Sequence, residues 1–445
     1  MTITDREPER TPSALHATLL SVTWPIFVEQ GLRTLIGTVD TLMVSRLGDD
    51  AVAGVSVASQ IVTLAGLTFW FLAIGSSVVI THHLGARDRA GADRVAATAI
   101  AANFWVGVVL SVALLLLVDP ALRLMHVPAG PLPYARPFLV LMGGSLFVEA
   151  LAVALGAALR AHTHTRDVML VTLGQNVLNV AGNTLLLFGF FGLPRLGVVG
   201  VAISSVVSRV VACAATWVLL AWRTGLHLRA RDFVAIRAER VRRVLRIGLP
   251  AAGENISYWL AYMTVTTFVA TMGATELATQ NYTLNVNRWV ILLCVSVGLG
   301  TEVLIGHLVG AGEFDAAYRR LVSSVRLSFG GAIAAMLVIG AVAPSLIGLF
   351  TATPAIVAGG AVLLRMGLLL EPGRVFNVVV ISSLRATGDV RFPITVGVIV
   401  MWGVWVSMIC DEWIRGLLMF RRWRRRQWLP AAVRSHAAAR VNQSA

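Results

Sequence analysis

The sequence predicts an all-α polytopic membrane protein made of two parallel six-helix repeats, the second of them shortened. Three observations lead there. Of 445 residues, 57% are hydrophobic and only 13% charged, too little charge to cover a soluble domain of this size. Apolar runs near the length of a bilayer span recur along the whole chain, as at Val106–Val118, Phe138–Leu159 and Ala332–Ala343 with their flanks. Finally, the chain matches itself when shifted by 225 residues. In hydrocarbon the backbone must satisfy its own hydrogen bonds, so such runs become helices. The period-2 alternation of an outer-membrane barrel is absent.

The shift pairs Pro25 with Pro250, Glu29 with Glu254, Gly48 with Gly273 and Ala53 with Ala278. Beyond these it pairs Gly75 with Gly300, His82 with His307, Gly85-Ala86 with Gly310-Ala311, and Leu159-Arg160 with Leu384-Arg385. A constant offset without a gap marks an internal duplication. Residues 1–13 form a polar tail with no apolar core for a cleavable signal, so the first span is expected to direct insertion. The first lobe, residues 14–222, holds spans at roughly 14–45, 52–84, 95–118, 135–159, 168–191 and 197–222. Residues 223–243 form an Arg-rich connector. The second lobe, residues 244–420, repeats spans at roughly 244–271, 277–309, 321–343 and 361–384, and a basic tail covers 421–445.

Charge sets orientation. The net charge of +14 comes from arginine, since the chain has no lysine, and the arginines gather in one set of connections. That set carries Arg87, Arg89, Arg94, Arg160, Arg166, the connector arginines, Arg319, Arg320, Arg385 and Arg391. The opposite set carries only Arg46, Arg123, Arg136 and Arg195. The positive-inside rule therefore predicts a multi-pass protein of the cell (inner) membrane with a cytoplasmic N-terminus. The same placement argues against nucleic-acid binding.

The second copy breaks the symmetry near its end. Arg160 precedes Arg209 by 49 residues, whereas Arg385 precedes Arg415 by 30, so about 19 residues are missing. What remains, Phe392–Phe420, suffices at about 1.5 Å per residue for one long helix but hardly for two full crossings. Either a strained short hairpin or one long, misoriented helix is expected. The second would put the basic tail outside, against the charge rule.

At this point the motifs resemble a family. Trp24-Pro25 followed by Thr38-Val39-Asp40-Thr41-Leu42-Met43-Val44-Ser45-Arg46-Leu47-Gly48 is similar to the first-helix signature of multidrug and toxic compound extrusion (MATE) transporters. Val309-Gly310-Ala311-Gly312-Glu313 resembles the loop of their second repeat. Leu384-Arg385-Ala386-Thr387-Gly388-Asp389 resembles their Leu-Arg-x-x-Gly-Asp motif; its first-copy counterpart at Leu159–His164 keeps Leu-Arg and lacks Gly-Asp. The resemblance implies two six-helix lobes in a V around a central cavity, with cation-driven export. It places Asp40 where the family holds a cation-responsive carboxylate. It also shows departures: a tenth-helix acid of one MATE branch falls at Arg374, and the seventh-helix acid of that branch falls near Tyr258 rather than Glu254.

Ionisable groups within a span are costly and normally face a cavity or a partner. Glu29 and Glu254 occupy the same place in the two copies, one turn after a proline that permits bending. With Asp40 they are the candidates for cation coupling, against the alternatives that each glutamate caps or pairs with a neighbour, such as Arg33 for Glu29, and that Asp40 is a surface acid near the outer end of its span, followed by Arg46. Glu371, Arg374 and Asn377 share one helix face. Arg374 mirrors Glu149, so the two either meet across the lobes or leave Arg374 to an internal pair with Glu371. An Arg374 that faces the cavity would favour anionic or zwitterionic cargo. Asn176, Asn179 and Asn183 form a polar stripe, which either lines the cavity or hydrogen-bonds neighbouring helices. Tyr258 and Trp259 either stack on cargo or pack helices. The mirrored histidines and the cysteines at 213, 294 and 410 read as structural.

A phosphate-binding Walker loop needs lysine, so an ATPase is excluded, and no hydrolase or zinc motif is present. The expectation is a non-enzymatic antiporter, monomeric, with small-molecule cargo, no cofactor, and H⁺ or Na⁺ as coupling ion. A lipid-linked precursor flippase of the same superfamily, or a nonfunctional truncated transporter, are the alternatives.

Overall fold

The computed structural model describes residues 18–189, 194–234, 237–400 and 406–441; the side chains of Glu254, residues 257–261, 396–400, 406–412, 415, 435 and 438–441 lie outside that description. Its elements in the first copy are α1 (Leu19–Val44), α2 (Asp49–Gly85), α3 (Arg89–Leu116), α4 (Val118–Leu124), α5 (Leu132–Gly144), α6 (Leu146–Ala161), α7 (Thr165–Phe188) and α8 (Val198–Thr224). The connector holds the short α9 (Ala230–Val234). The second copy has α10 (Ala238–Met272), α11 (Ala274–Ala311), α12 (Phe314–Ala341), α13 (Ala343–Gly348), α14 (Pro354–Ala386), α15 (Arg391–Val400), α16 (Val406–Arg424) and α17 (Leu429–Val441).

Helix boundaries repeat the sequence offset. Helices α3 and α12 begin and end at mirrored residues, and α2 and α11 begin at mirrored residues. Both long helices start after a glycine that the backbone requires: Gly48 has φ 114° and Gly273 has φ 140°, which side-chain-bearing residues rarely adopt. Asp88 then caps α3 by accepting from the Gly91 amide, as an N-cap carboxylate should. The fourth crossing of the first copy is α5 plus α6, bent by 47°.

Among the described residues, six helices are long and apolar enough to cross a membrane, or seven with that bent pair. Helices α1 and α7 are of similar length but carry the ionisable and amide side chains described below. Large apolar residues such as Leu64, Leu116, Val218, Trp222 and Leu369 stand on the outside. Such a surface would aggregate in water and is the proper surface in lipid. The chain is a multi-pass α-helical membrane protein.

The lobes hold each other by swapped contacts. The start of α1, through Leu19, Val22 and Ile26, joins the second-lobe core with Leu304, Ile305 and Leu308. In return Val244 and Ile247 of α10 join a first-lobe core with Val78 and Val79. At the Arg-rich end, His82 Nε2 donates to the Ala386 carbonyl (2.6 Å) and His307 Nε2 to the Ala161 carbonyl (2.8 Å), mirror images across the lobes. A carbonyl only accepts, so each ring must carry its proton on Nε2. Gly85 and Gly310 lie beside them, each so close to the opposite helix that a Cβ would strike the carbonyl of His307 or His82. This end of the lobe interface is closed by direct backbone packing.

The shortened end of the second copy resolves as a hairpin. Arg422 near the end of α16 pairs with Asp389, just before α15 begins, and its guanidinium lies 4.4 Å over the Phe392 ring. The start of α15 and the end of α16 therefore share one end of the bundle. Trp413 of α16 donates to the Leu369 carbonyl (3.0 Å), well up α14, so α16 returns along it.

Candidate cation site and central cavity

Three helices build the site around Asp40. Helix α1 supplies the carboxylate, and α7 supplies Asn179 and Asn183, one turn apart and thus on one face. Ser205 comes from α8. Asn183 Nδ2 donates to Asp40 Oδ1 (2.6 Å), and Ser205 Oγ lies 3.3 Å from Oδ2. Asn179 Nδ2 donates to Ser205 Oγ (2.9 Å), and Asn183 Nδ2 also reaches Asn179 Oδ1 (3.3 Å). The Ser204 hydroxyl fixes the frame by donating to the Asn179 backbone carbonyl (2.9 Å). Both asparagines are buried, and among the described residues Asn183 Oδ1 has no hydrogen-bond donor. A buried acceptor without a donor is uncommon and costly. The cluster thus offers a half-buried carboxylate with no ion-pair partner among the described residues, and a spare oxygen nearby.

Glu29 stands lower on α1 in a different setting. It is buried, Arg160 Nη1 lies 2.9 and 3.2 Å from its two oxygens, and Arg33 Nε lies 3.1 Å from Oε1. Its carboxylate is held by two guanidiniums. Glu254, Tyr258 and Trp259 fall among side chains outside the described residues.

Between the lobes lies a partly open cavity of about 500 Å³. Its wall comes from α1, α2, α6, α7 and α8 of the first copy and from α11 of the second. Among the described residues, Arg33, Arg209, Arg288 and Glu149 are its charged residues, Gln30 and Gln175 its amides, and Trp70 its aromatic. Several expected residues are elsewhere. Glu371, Arg374 and Asn377 are buried on α14, off the cavity wall, with Arg374 Nη1 2.7 Å from Glu371 Oε1. Glu149 and Arg374 do not meet: Glu149 takes Arg209 of its own lobe at 3.1 Å, because α6 and α8 pack side by side. Asn176 donates to the Thr172 carbonyl of its own helix (2.8 Å), and Asn179 serves the Asp40 cluster.

Sequence reading missed Ser205, Arg209 and Arg288 as site residues. The two arginines carry the signal used for Glu29, an ionisable group inside a predicted span. Ser205 carries none, because a serine in a helix is unremarkable until its neighbours are known.

The MatE family model matches residues 25–185 and 250–408, one stretch in each copy. The chain belongs to the MatE family. As a MATE transporter it is 40% identical over 437 residues to a protein named uncharacterized transporter YisQ of Bacillus subtilis, covering 94% of this chain and 96% of that protein. It is 26% identical over 402 residues to the probable multidrug resistance protein NorM of Chromobacterium violaceum, covering 88% and 85%. Among solved structures, a MATE in a bent conformation matches with a TM-score of 0.84 at 19% identity, over 95% of this chain and 98% of that one. The last likeness establishes the fold.

Proposed function

We propose that this chain exports small organic compounds from the cell by antiport, coupled to H⁺ or Na⁺ taken up at Asp40. Family membership and the NorM relative support export. The observation that carries the coupling site is the environment of Asp40 among the described residues: no ion pair, three amide or hydroxyl neighbours, and the buried Asn183 Oδ1 without a donor. A bound Na⁺ would draw on the oxygens of Asp40, Asn179, Asn183 and Ser205, the hard donors such an ion prefers. A proton would instead make Asp40 a donor in the same cluster. Glu29 lacks this freedom, since both its oxygens already face guanidiniums.

The two ligands act on one equilibrium. Cation at Asp40 biases α1 against α7 and α8, cargo occupies the cavity, and the lobes rock about their swapped contacts, so each ligand shifts the population of the state it binds best. Pro25 within α1 permits the bend this requires. By the charge rule, the Arg-rich end with its closed histidine contacts is the cytoplasmic one in the cell membrane, and the cavity as described belongs to an outward-facing state.

The test is Asp40→Asn in everted membrane vesicles, with counter-transport measured under an imposed proton or sodium gradient. The native chain should respond to one gradient, and the variant should respond to neither while remaining folded by thermal melting. Gradient-driven transport by the variant at the native rate would overturn the assignment.

A further inference from the structure

We propose that the central cavity receives an organic anion, bound through guanidinium groups of Arg288, Arg209 and Arg33. This deepens the export reading above and rests on it. Among the described residues the cavity wall carries those three arginines against a single acid, Glu149, which Arg209 already holds. Behind Arg33 lies Glu29, shared with Arg160. Counting these six groups together leaves two positive charges in excess, and the excess belongs to the cavity. Arg288 is its clearest element: it comes from the opposite lobe, it is exposed, and no acidic partner holds it among the described residues.

Charges interact more strongly in a recess walled by apolar side chains than in water. An organic cation would enter against this field. A carboxylate, sulfonate or phosphate would find planar, permanently charged forks suited to its oxygens. Trp70 and the aliphatic wall, including Val153, Leu292 and Val295, supply the surface for the rest of such a molecule. The volume falls in the usual range for a drug-sized ligand. Because Arg33 and Arg209 come from one lobe and Arg288 from the other, an anion between them would bridge the lobes. Two sources present this chemistry: a free organic anion and the headgroup of an anionic lipid.

The experiment uses the full chain in phosphatidylcholine nanodiscs, without any gradient, with fluorescein dianion and ethidium cation as anisotropy probes. Fluorescein should bind more tightly than ethidium. Arg288→Gln should weaken fluorescein about tenfold, the loss expected for one charge-assisted contact, and Arg288→Lys should restore much of it. Glu149→Gln, which adds to the excess positive charge, should tighten it. A second arm adds phosphatidylglycerol. If that lipid displaces fluorescein, and fluorescently labelled phosphatidylglycerol in liposomes becomes accessible to dithionite only with the native chain, the anion is a lipid headgroup. If neither occurs while fluorescein still binds, it is a free solute. A native preference for ethidium, or unchanged fluorescein binding in Arg288→Gln, would overturn the proposal. The two readings fail separately: Arg288-dependent fluorescein binding in a native chain that responds to neither gradient would leave the anion site standing and remove the coupling, and Asp40-dependent transport of ethidium would leave export standing and remove the anion.

Discussion

Asp40 and Glu29 lie about three turns apart on α1, and their partners divide the work between them. Glu29 is an acid fixed by two bases, and the pair spans α1 and α6. Breaking a buried pair by removing one partner leaves the other charge uncompensated, which typically costs about 3–5 kcal/mol. Arg160, mostly buried, should behave that way: Arg160→Gln is expected to destabilise by about 3 kcal/mol. Arg33 is far more open to solvent, with its side chain 37% exposed against 14% for Arg160. Arg33→Gln should therefore cost below about 1 kcal/mol, as exposed pairs do. Thermal melts of both variants in detergent check this, and equal losses would show that the two arginines share the burden. The sequence marked Glu29 and Asp40 alike as acids within a span and candidates for coupling. It did not separate them, because separation depends on which neighbouring helix brings a guanidinium and which an amide.

At the scale of elements, duplication was the legible feature, since glycines and acids at helix ends recur where the backbone needs them. The turn after each repeat's fourth crossing shows what divergence costs. The second copy has Gly388 at φ 82°, and the first has Thr163 at φ 65° in the mirrored place. A β-branched residue is strained there, by roughly 1–2 kcal/mol, while glycine is not. The absence of Gly-Asp from Leu159–His164 is thus a structural debt as well as a lost motif. Thr163→Gly should stabilise the chain by about 0.5–1 kcal/mol after glycine's own entropy loss is counted, and Gly388→Ala should destabilise it by about as much. Paired thermal melts decide: a destabilised Thr163→Gly would mean the threonine side chain repays its strain. The polar cavity wall was less legible, because Arg209 and Arg288 lie far apart in the sequence and converge only when the lobes pack.

For the whole molecule, the shortened second copy posed a choice that the sequence left open, between a hairpin and one long crossing. Length favoured the single helix and the charge rule opposed it, and length omits what the tail can hold on to. The tail is well anchored. Trp423 and Trp428 are buried and stacked with centroids 4.5 Å apart, and Phe314 packs edge-on to Trp428. His436 Nδ1 lies 2.7 Å from the Gly310 carbonyl, and Arg426 Nη2 lies 2.6 Å from Asp315. All of these sit at the Arg-rich end, where Leu19 also packs. The start of α1 and the segment after α16 therefore lie on one side, together with most of the chain's arginine-rich connections, so the arginines of 421–426 fit the charge rule. A green fluorescent protein fused at the C-terminus should fluoresce, and alkaline phosphatase fused there should be inactive. Active phosphatase at the full-length C-terminus would establish a single crossing and detach the tail from the contacts that close this end.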